Sequence, residues 1–126
     1  MSRFLLVSLG GAIGSGARYL VSSGAQAWLG SAFPVGTLVV NVLGSFLICA
    51  IMHLALSANL IGADVRLFLT TGVLGGFTTF SAFGHETLQF ARGGSFLLAM
   101  LYVAATLVLG LAAGLAGDAV ARLLAG

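Results

Sequence analysis

The chain has 126 residues, 60% of them hydrophobic and 6% charged, with a mean hydropathy of +1.16. Soluble domains carry about a quarter charged residues, so this composition excludes a water-soluble globular fold and places the chain in a bilayer. The net charge of +2 rests on five arginines spread singly, with no lysine, which excludes a basic patch for nucleic acid.

A first helix is predicted over about 4 to 29. Arg3 ahead of small apolar residues has the look of a leader, but the run carries Arg18 and continues to Trp28, and the rest of the chain is equally apolar. It therefore reads as a span rather than a cleaved leader. Arg18, the one charge deep in this helix, either snorkels to the interface or makes a water-filled vestibule positive and gathers anions. A short turn over 30 to 34 follows, and Pro34 suits the position ahead of a helix, where a missing backbone donor costs nothing.

Helix two is predicted over about 36 to 58. Thr37, Asn41 and Ser45 recur every four residues, a single polar stripe on an apolar rod. The Asn41 carboxamide can bridge two helices, or its two donors can serve an anion. Cys49 lies in the same run and, as the one cysteine, forms no intrachain disulfide.

Past a loop at 59 to 64, helix three covers about 66 to 91 and is expected to be interrupted near 75 to 79. There the stretch Gly75-Gly76-Phe77-Thr78-Thr79-Phe80-Ser81-Ala82-Phe83 sets paired glycines, hydroxyls and phenylalanines in the middle of an apolar segment. Freed backbone groups and lone hydroxyls are expensive in hydrocarbon, so such a segment is expected to line a site or pathway. A break would free carbonyl oxygens for a cation and expose amide donors where the helix restarts. Phe80 and Phe83, three residues apart, share a helical face, and aromatic rings presented edge-on attract an anion without a fixed charge. Ser81 and Thr79 place hydroxyl donors beside them. His85 and Glu86 fall near the end of the apolar run and are expected at the membrane surface; a lone His-Glu pair there defines no metal site.

After a Gly93-Gly94 turn, helix four over about 95 to 122 carries Tyr102 and Thr106 four apart, with Gly110 continuing the face. Gly10 and Gly14, Gly72 and Gly76, and Gly110 and Gly114 stand at the spacing that lets membrane helices approach closely. Four spans put both termini and the 2–3 loop on one side with Arg3, Arg66 and Arg122, against Arg92 and, at most, Arg18 on the other. So small an arginine difference leaves orientation nearly undecided, and two opposite orientations would assemble as an antiparallel homodimer.

Three patterns are together distinctive: Gly-x-x-x-Arg-Tyr at Gly14 to Tyr19, Gly36-Thr37-Leu38-Val39-Val40-Asn41, and Thr71-Gly72-Val73-Leu74 running into the Gly75 to Phe83 stretch. With the length and the four spans, they make the whole chain resemble the Fluc family of bacterial fluoride channels, also called CrcB proteins. The resemblance implies an all-α membrane protein with helix three broken near its middle, an antiparallel, dual-topology homodimer with two fluoride pores, and a multi-pass place in the inner (plasma) membrane of a prokaryote. By position, Phe80 and Phe83 resemble the family's pore phenylalanines, Asn41 its pore asparagine, and Tyr102 and Thr106 part of its helix-four lining. A central structural sodium ion would be held by backbone carbonyls of Gly75 and Thr78. Ala82, Gly84 and His85 depart from the family pattern.

The favoured reading is a passive fluoride channel rather than an enzyme, since no phosphate-binding loop and no enzyme-like constellation occurs. Its partners are fluoride, lipid and a second copy of itself. The alternative is a proton-coupled exporter of the small dual-topology type, which needs a carboxylate within the membrane. A purely structural subunit would not need Asn41, Phe80 and Phe83 together.

Overall fold

A computed structural model describes residues 2–30 and 32–126. Ser31, part of the predicted 30–34 turn, lies outside the described residues. α1 (Arg3–Leu29) opens where the Ser2 hydroxyl accepts the Leu5 amide at 3.3 Å and closes at Gly30, whose left-handed φ of 54° lets its amide reach the Gln26 carbonyl at 2.9 Å. α2 (Val35–Met52) starts directly after Pro34 and runs on through a wider, π-helical turn at His53–Ser57. The third span is assembled from α3 (Ala63–Leu67), a π-helical stretch at Phe68–Leu74, α4 (Gly75–Phe77) and α5 (Phe80–Arg92). Gly93 and the left-handed Gly94 (φ 82°) make the turn into α6 (Phe96–Ala125).

Four helical stretches of 27, 23, 30 and 30 residues are thus long and apolar enough to cross a membrane. At a rise of 1.5 Å per residue each spans roughly 35–45 Å, beyond the ~30 Å hydrocarbon core. The outward surface is what lipid requires: Phe4, Trp28, Leu97, Met100, Leu111 and Leu115 are all exposed.

α1 packs on the third span and α2 on α6. The first contact explains two of the glycine pairs. A Cβ on Gly10 would lie 2.9 Å from the Gly72 Cα, one on Gly14 would overlap the Val73 carbonyl, and one on Gly76 would crowd the Ser15 amide at 3.0 Å. Backbone meets backbone there, which only residues without a side chain allow. The third pair is looser: Gly110 has only the Ser45 hydroxyl within reach, at 3.7 Å, Gly114 meets the Cys49 sulfur at 3.1 Å, and the tightest approach of α6 to α2 falls at Gly117 against the Phe46 carbonyl. Spacing alone did not reveal Gly117, a turn beyond Gly114.

Between these two pairs of helices lies a small core of Val40, Leu74 and Phe77, flanked by Ala17, Val21, Leu47 and Ile51. Polar contacts gather one end of the bundle: the ion pairs Arg3–Asp64 at 3.4 Å and Arg122–Asp118 at 2.8 Å, and a hydrogen bond between Asp118 and His53 Nδ1 at 3.0 Å. Both chain ends and the α2–α3 connection therefore lie together, and Arg92 is at the opposite end. Arg18 is at neither face but within the bundle, so the loop arginines stand three (Arg3, Arg66, Arg122) against one (Arg92).

Candidate functional site

The site grows out of two extended residues in the third span. Thr78 (φ −84°, ψ 158°) and Thr79 (φ −150°, ψ 114°) separate α4 from α5, so the helical register is not carried from one to the other. Each backbone group displaced by that geometry needs another partner in a medium without water. Asn41 answers two of them. Its Oδ1 accepts the Thr79 amide at 2.8 Å and its Nδ2 donates to the Thr79 carbonyl at 2.9 Å, so the carboxamide pairs with the peptide as a neighbouring strand would. The Thr79 hydroxyl caps α5 by accepting the Ala82 amide at 3.2 Å. Arg18 donates from Nε to the Gly76 carbonyl at 2.9 Å.

In an uninterrupted helix the Thr79 amide would bond the Gly75 carbonyl and the Ala82 amide would bond that of Thr78. Both amides are directed elsewhere here, to Asn41 and to the Thr79 hydroxyl. The Thr78 side chain turns back, its hydroxyl donating to the Leu74 carbonyl at 2.9 Å, and its methyl fills the space left by Gly44.

A cleft of about 350 Å³ borders these residues, lined among others by Asn41, Gly75, Thr79, Phe80, Phe83 and Thr106. The Phe80 and Phe83 rings stand 5.7 Å apart at 55° to each other, and Phe83 in turn lies 5.1 Å from Tyr102. Tyr102 is fully buried and Phe33 meets it edge-on at 5.3 Å. Phe80, by contrast, is 82% exposed and projects from the single chain. The Thr106 hydroxyl is buried with no hydrogen-bond partner among the described residues. Leaving such a group unpaired costs about 1–3 kcal/mol, which marks the cleft as a place where something polar belongs.

Beside the cleft, Glu86 ties three helices together. Its Oε1 accepts from the Thr37 hydroxyl and its Oε2 from the Tyr102 hydroxyl, each at 2.7 Å. A second hollow, lined by Ser22, Ser23, Gln26, Thr37 and Glu86, opens on this carboxylate from the α1–α2 side.

A family model described as CrcB-like protein, Camphor Resistance (CrcB), matches residues 5–118. The chain belongs to the CrcB family. Over all 126 residues, with both chains covered completely, it is 51% identical to a protein of Anaeromyxobacter dehalogenans named fluoride-specific ion channel FluC. Proteins of the same name from Thermus thermophilus and Geobacter sulfurreducens are 52% identical over 111 residues, 88% of each chain, and 48% identical over 122 residues, 97% of this chain and 98% of the relative.

In this CrcB chain, Asn41, Thr79, Phe80, Phe83 and Thr106 share one cleft. Tyr102 touches it through Phe83, and Ser81 sits at the exposed edge with its hydroxyl 3.4 Å from that of Thr79. Ser45 spends its hydroxyl on the Asn41 carbonyl at 2.9 Å, continuing the α2 stripe. Arg18 is on the other side of the third span, joined to it through Gly76 rather than lining the cleft. Glu86 is the residue whose partners the sequence did not show. Expected near the membrane surface, it is half-buried, and the buried Thr37 and Tyr102 hydroxyls offset the cost of drawing it away from water. Its position three residues after Phe83, on the same helical face, was the available signal.

Proposed function

We propose that this CrcB protein is a fluoride-selective passive channel, through which fluoride leaves the cell down its electrochemical gradient. The observation that carries the reading is the full-length, 51% identical relative named as a fluoride-specific ion channel. The cleft chemistry supports it. Fluoride is small and strongly hydrated, so a pore must replace its water with donors and must hold no fixed positive charge strong enough to trap it. Asn41 offers the second hydrogen of Nδ2, Thr106 an unspent hydroxyl, and Phe80 and Phe83 the positive edges of their rings. Ser81 and the Thr79 hydroxyl extend the donors toward the surface, and Tyr102 fixes the attitude of Phe83.

The third span works in this reading as a broken helix, with the residues around the break serving an ion pathway. The carbonyls of Gly75 and Thr78, whose helical amide partners are engaged elsewhere, suit a hard cation such as sodium, and those two residues would hold it. Bound there, sodium would supply positive charge that steadies the broken segment.

The assembly we propose is an antiparallel homodimer in the inner membrane of a prokaryote. It gives the exposed Phe80 ring and the open side of the cleft a protein neighbour in place of lipid. Four loop arginines, three against one, are a weak orientation signal. Two or three lysines added at one terminus should lock one orientation and abolish flux, with rescue by an oppositely locked copy; full activity from one locked form alone would defeat the antiparallel assembly.

Proton-coupled export is the second reading. Among the described residues the half-buried carboxylates in the spans are Glu86, both oxygens engaged by hydroxyl donors, and Asp118, held by His53 and Arg122 at one end of the bundle; such fixed partners suit structural and electrostatic parts better than a proton carrier. The deciding experiment is efflux from liposomes containing the purified protein, followed with a fluoride electrode at equal pH inside and out. Rapid fluoride release without chloride release is expected, and no release without an imposed proton gradient would favour the exporter.

A further inference from the structure

Arg18 makes a contact that neither of its sequence readings includes. Its guanidinium is partly buried, with Nε 2.9 Å from the Gly76 carbonyl across the α1 contact with the third span. That carbonyl belongs to the last turn of α4, and the extended Thr78 and Thr79 carry α5 out of the register in which the Phe80 amide would meet it. A helix end in hydrocarbon with an unpaired carbonyl is costly, and it carries partial negative charge that a cation satisfies. The neighbouring glycines make the reach possible, because Gly76 stacks on α1 with its Cα side against the Gly11 carbonyl and the Ser15 amide, so the two backbones are in contact one turn from Arg18.

Two side chains therefore hold the interrupted segment from opposite sides. Asn41 of α2 grips the peptide of Thr79, and Arg18 of α1 grips the carbonyl of Gly76 three residues earlier. Between the two grips lie Phe77 and Thr78; of the carbonyls assigned above to a cation, that of Thr78 falls between the grips and that of Gly75 one residue before the first. We propose that Arg18 is a positioning residue: by the Nε–H hydrogen bond to Gly76 it fixes the carbonyl end of α4, and so the attitude of the Gly75 and Thr78 carbonyls and of the Phe80 ring that follows them. In its relation to the ion pathway the proposal rests on the channel reading; the hydrogen bond itself and its effect on the backbone do not.

Substitution separates the donor from the charge. Nε of arginine is the fourth atom of the side chain, and so is Nε2 of glutamine, so Arg18→Gln keeps an N–H at the same reach and removes the charge. Arg18→Met removes both at similar length. The experiment measures amide hydrogen exchange over residues 75–82 in the full-length protein, and fluoride efflux in the same preparations. Arg18→Met should exchange about tenfold faster or more over that segment, with exchange elsewhere unchanged and efflux reduced, while Arg18→Gln should restore protection and efflux to near the parent values. Should Arg18→Met fail to assemble, Arg18→Gln still decides, since a folded, protected and conducting glutamine variant supports the donor role. Arg18→Gln that behaves like Arg18→Met, or fails to fold, overturns the proposal in favour of a role for the charge. Unchanged protection in Arg18→Met also overturns it. Exchange responds to the backbone clamp whether or not fluoride is the ion conducted, so failure of the channel reading would show in efflux of the parent protein alone.

Discussion

Replacing Phe83 or Phe80 by isoleucine is expected to lower fluoride throughput by about tenfold or more each, while the protein stays folded. Isoleucine keeps apolar bulk but has no positive ring edge, so the change removes the electrostatic contribution and leaves most of the packing. Tenfold corresponds to about 1.4 kcal/mol on a barrier, within reach of the ~0.5–1.5 kcal/mol usual for oriented aromatic contacts. The two positions should differ in their side effects. Phe83 packs 5.1 Å from the buried Tyr102, so its loss also loosens the group that meets Glu86, whereas the 82% exposed Phe80 has little to disturb within one chain. Stability should thus fall more for Phe83→Ile. If both variants, folded and assembled, carry fluoride at the parent rate, the rings have no part in conduction.

Asn41→Asp should be more damaging still, with fluoride efflux down at least about a hundredfold, or some 2.7 kcal/mol. The substitution is nearly isosteric, but it replaces the Nδ2 donor with an acceptor facing the Thr79 carbonyl 2.9 Å away, and it brings negative charge to the path of an anion. The Thr79 amide keeps its acceptor, so the extended backbone loses one of its two ties rather than both. Asn41→Ala removes both ties and leaves the Thr79 peptide unpaired in hydrocarbon, so that variant should also lose thermal stability in detergent, by about 2 kcal/mol or more. Fluoride efflux and thermal unfolding measured on the two variants check both expectations. An Asn41→Asp protein conducting fluoride normally would show that the carboxamide is a structural bridge and no more.

Much of this architecture was legible in the sequence because the bilayer leaves few options. Apolar runs of fixed minimum length, separated by Gly30, Asn59 and the Gly93-Gly94 pair, fix four spans and their alternation. The Gly10/Gly14 and Gly72/Gly76 pairs were legible as well, since helices in lipid meet through small residues, and they meet each other. The π-helical turns at His53–Ser57 and Phe68–Leu74 were not, because a widened turn depends on how neighbours accommodate one extra residue and leaves no periodic signature. The partners of Glu86 were hidden for a related reason. Its burial depends on Thr37 and Tyr102, which are 49 and 16 residues away in the chain and become its partners only after folding. Asn41 shows what a stripe can and cannot tell: its spacing predicts a polar face, but that its carboxamide pairs with the Thr79 peptide follows only from the backbone at Thr79. The Arg18 contact with Gly76 is of the same kind.

The claim that this protein passes fluoride passively is tested most directly by the reversal potential of its current in a planar bilayer. With a tenfold fluoride gradient, equal pH and all other ions symmetric, a fluoride channel should reverse at about 59 mV, the value for one charge, and should stay there when a pH gradient is added. A reversal potential near zero, or one that moves with the proton gradient, would contradict the account.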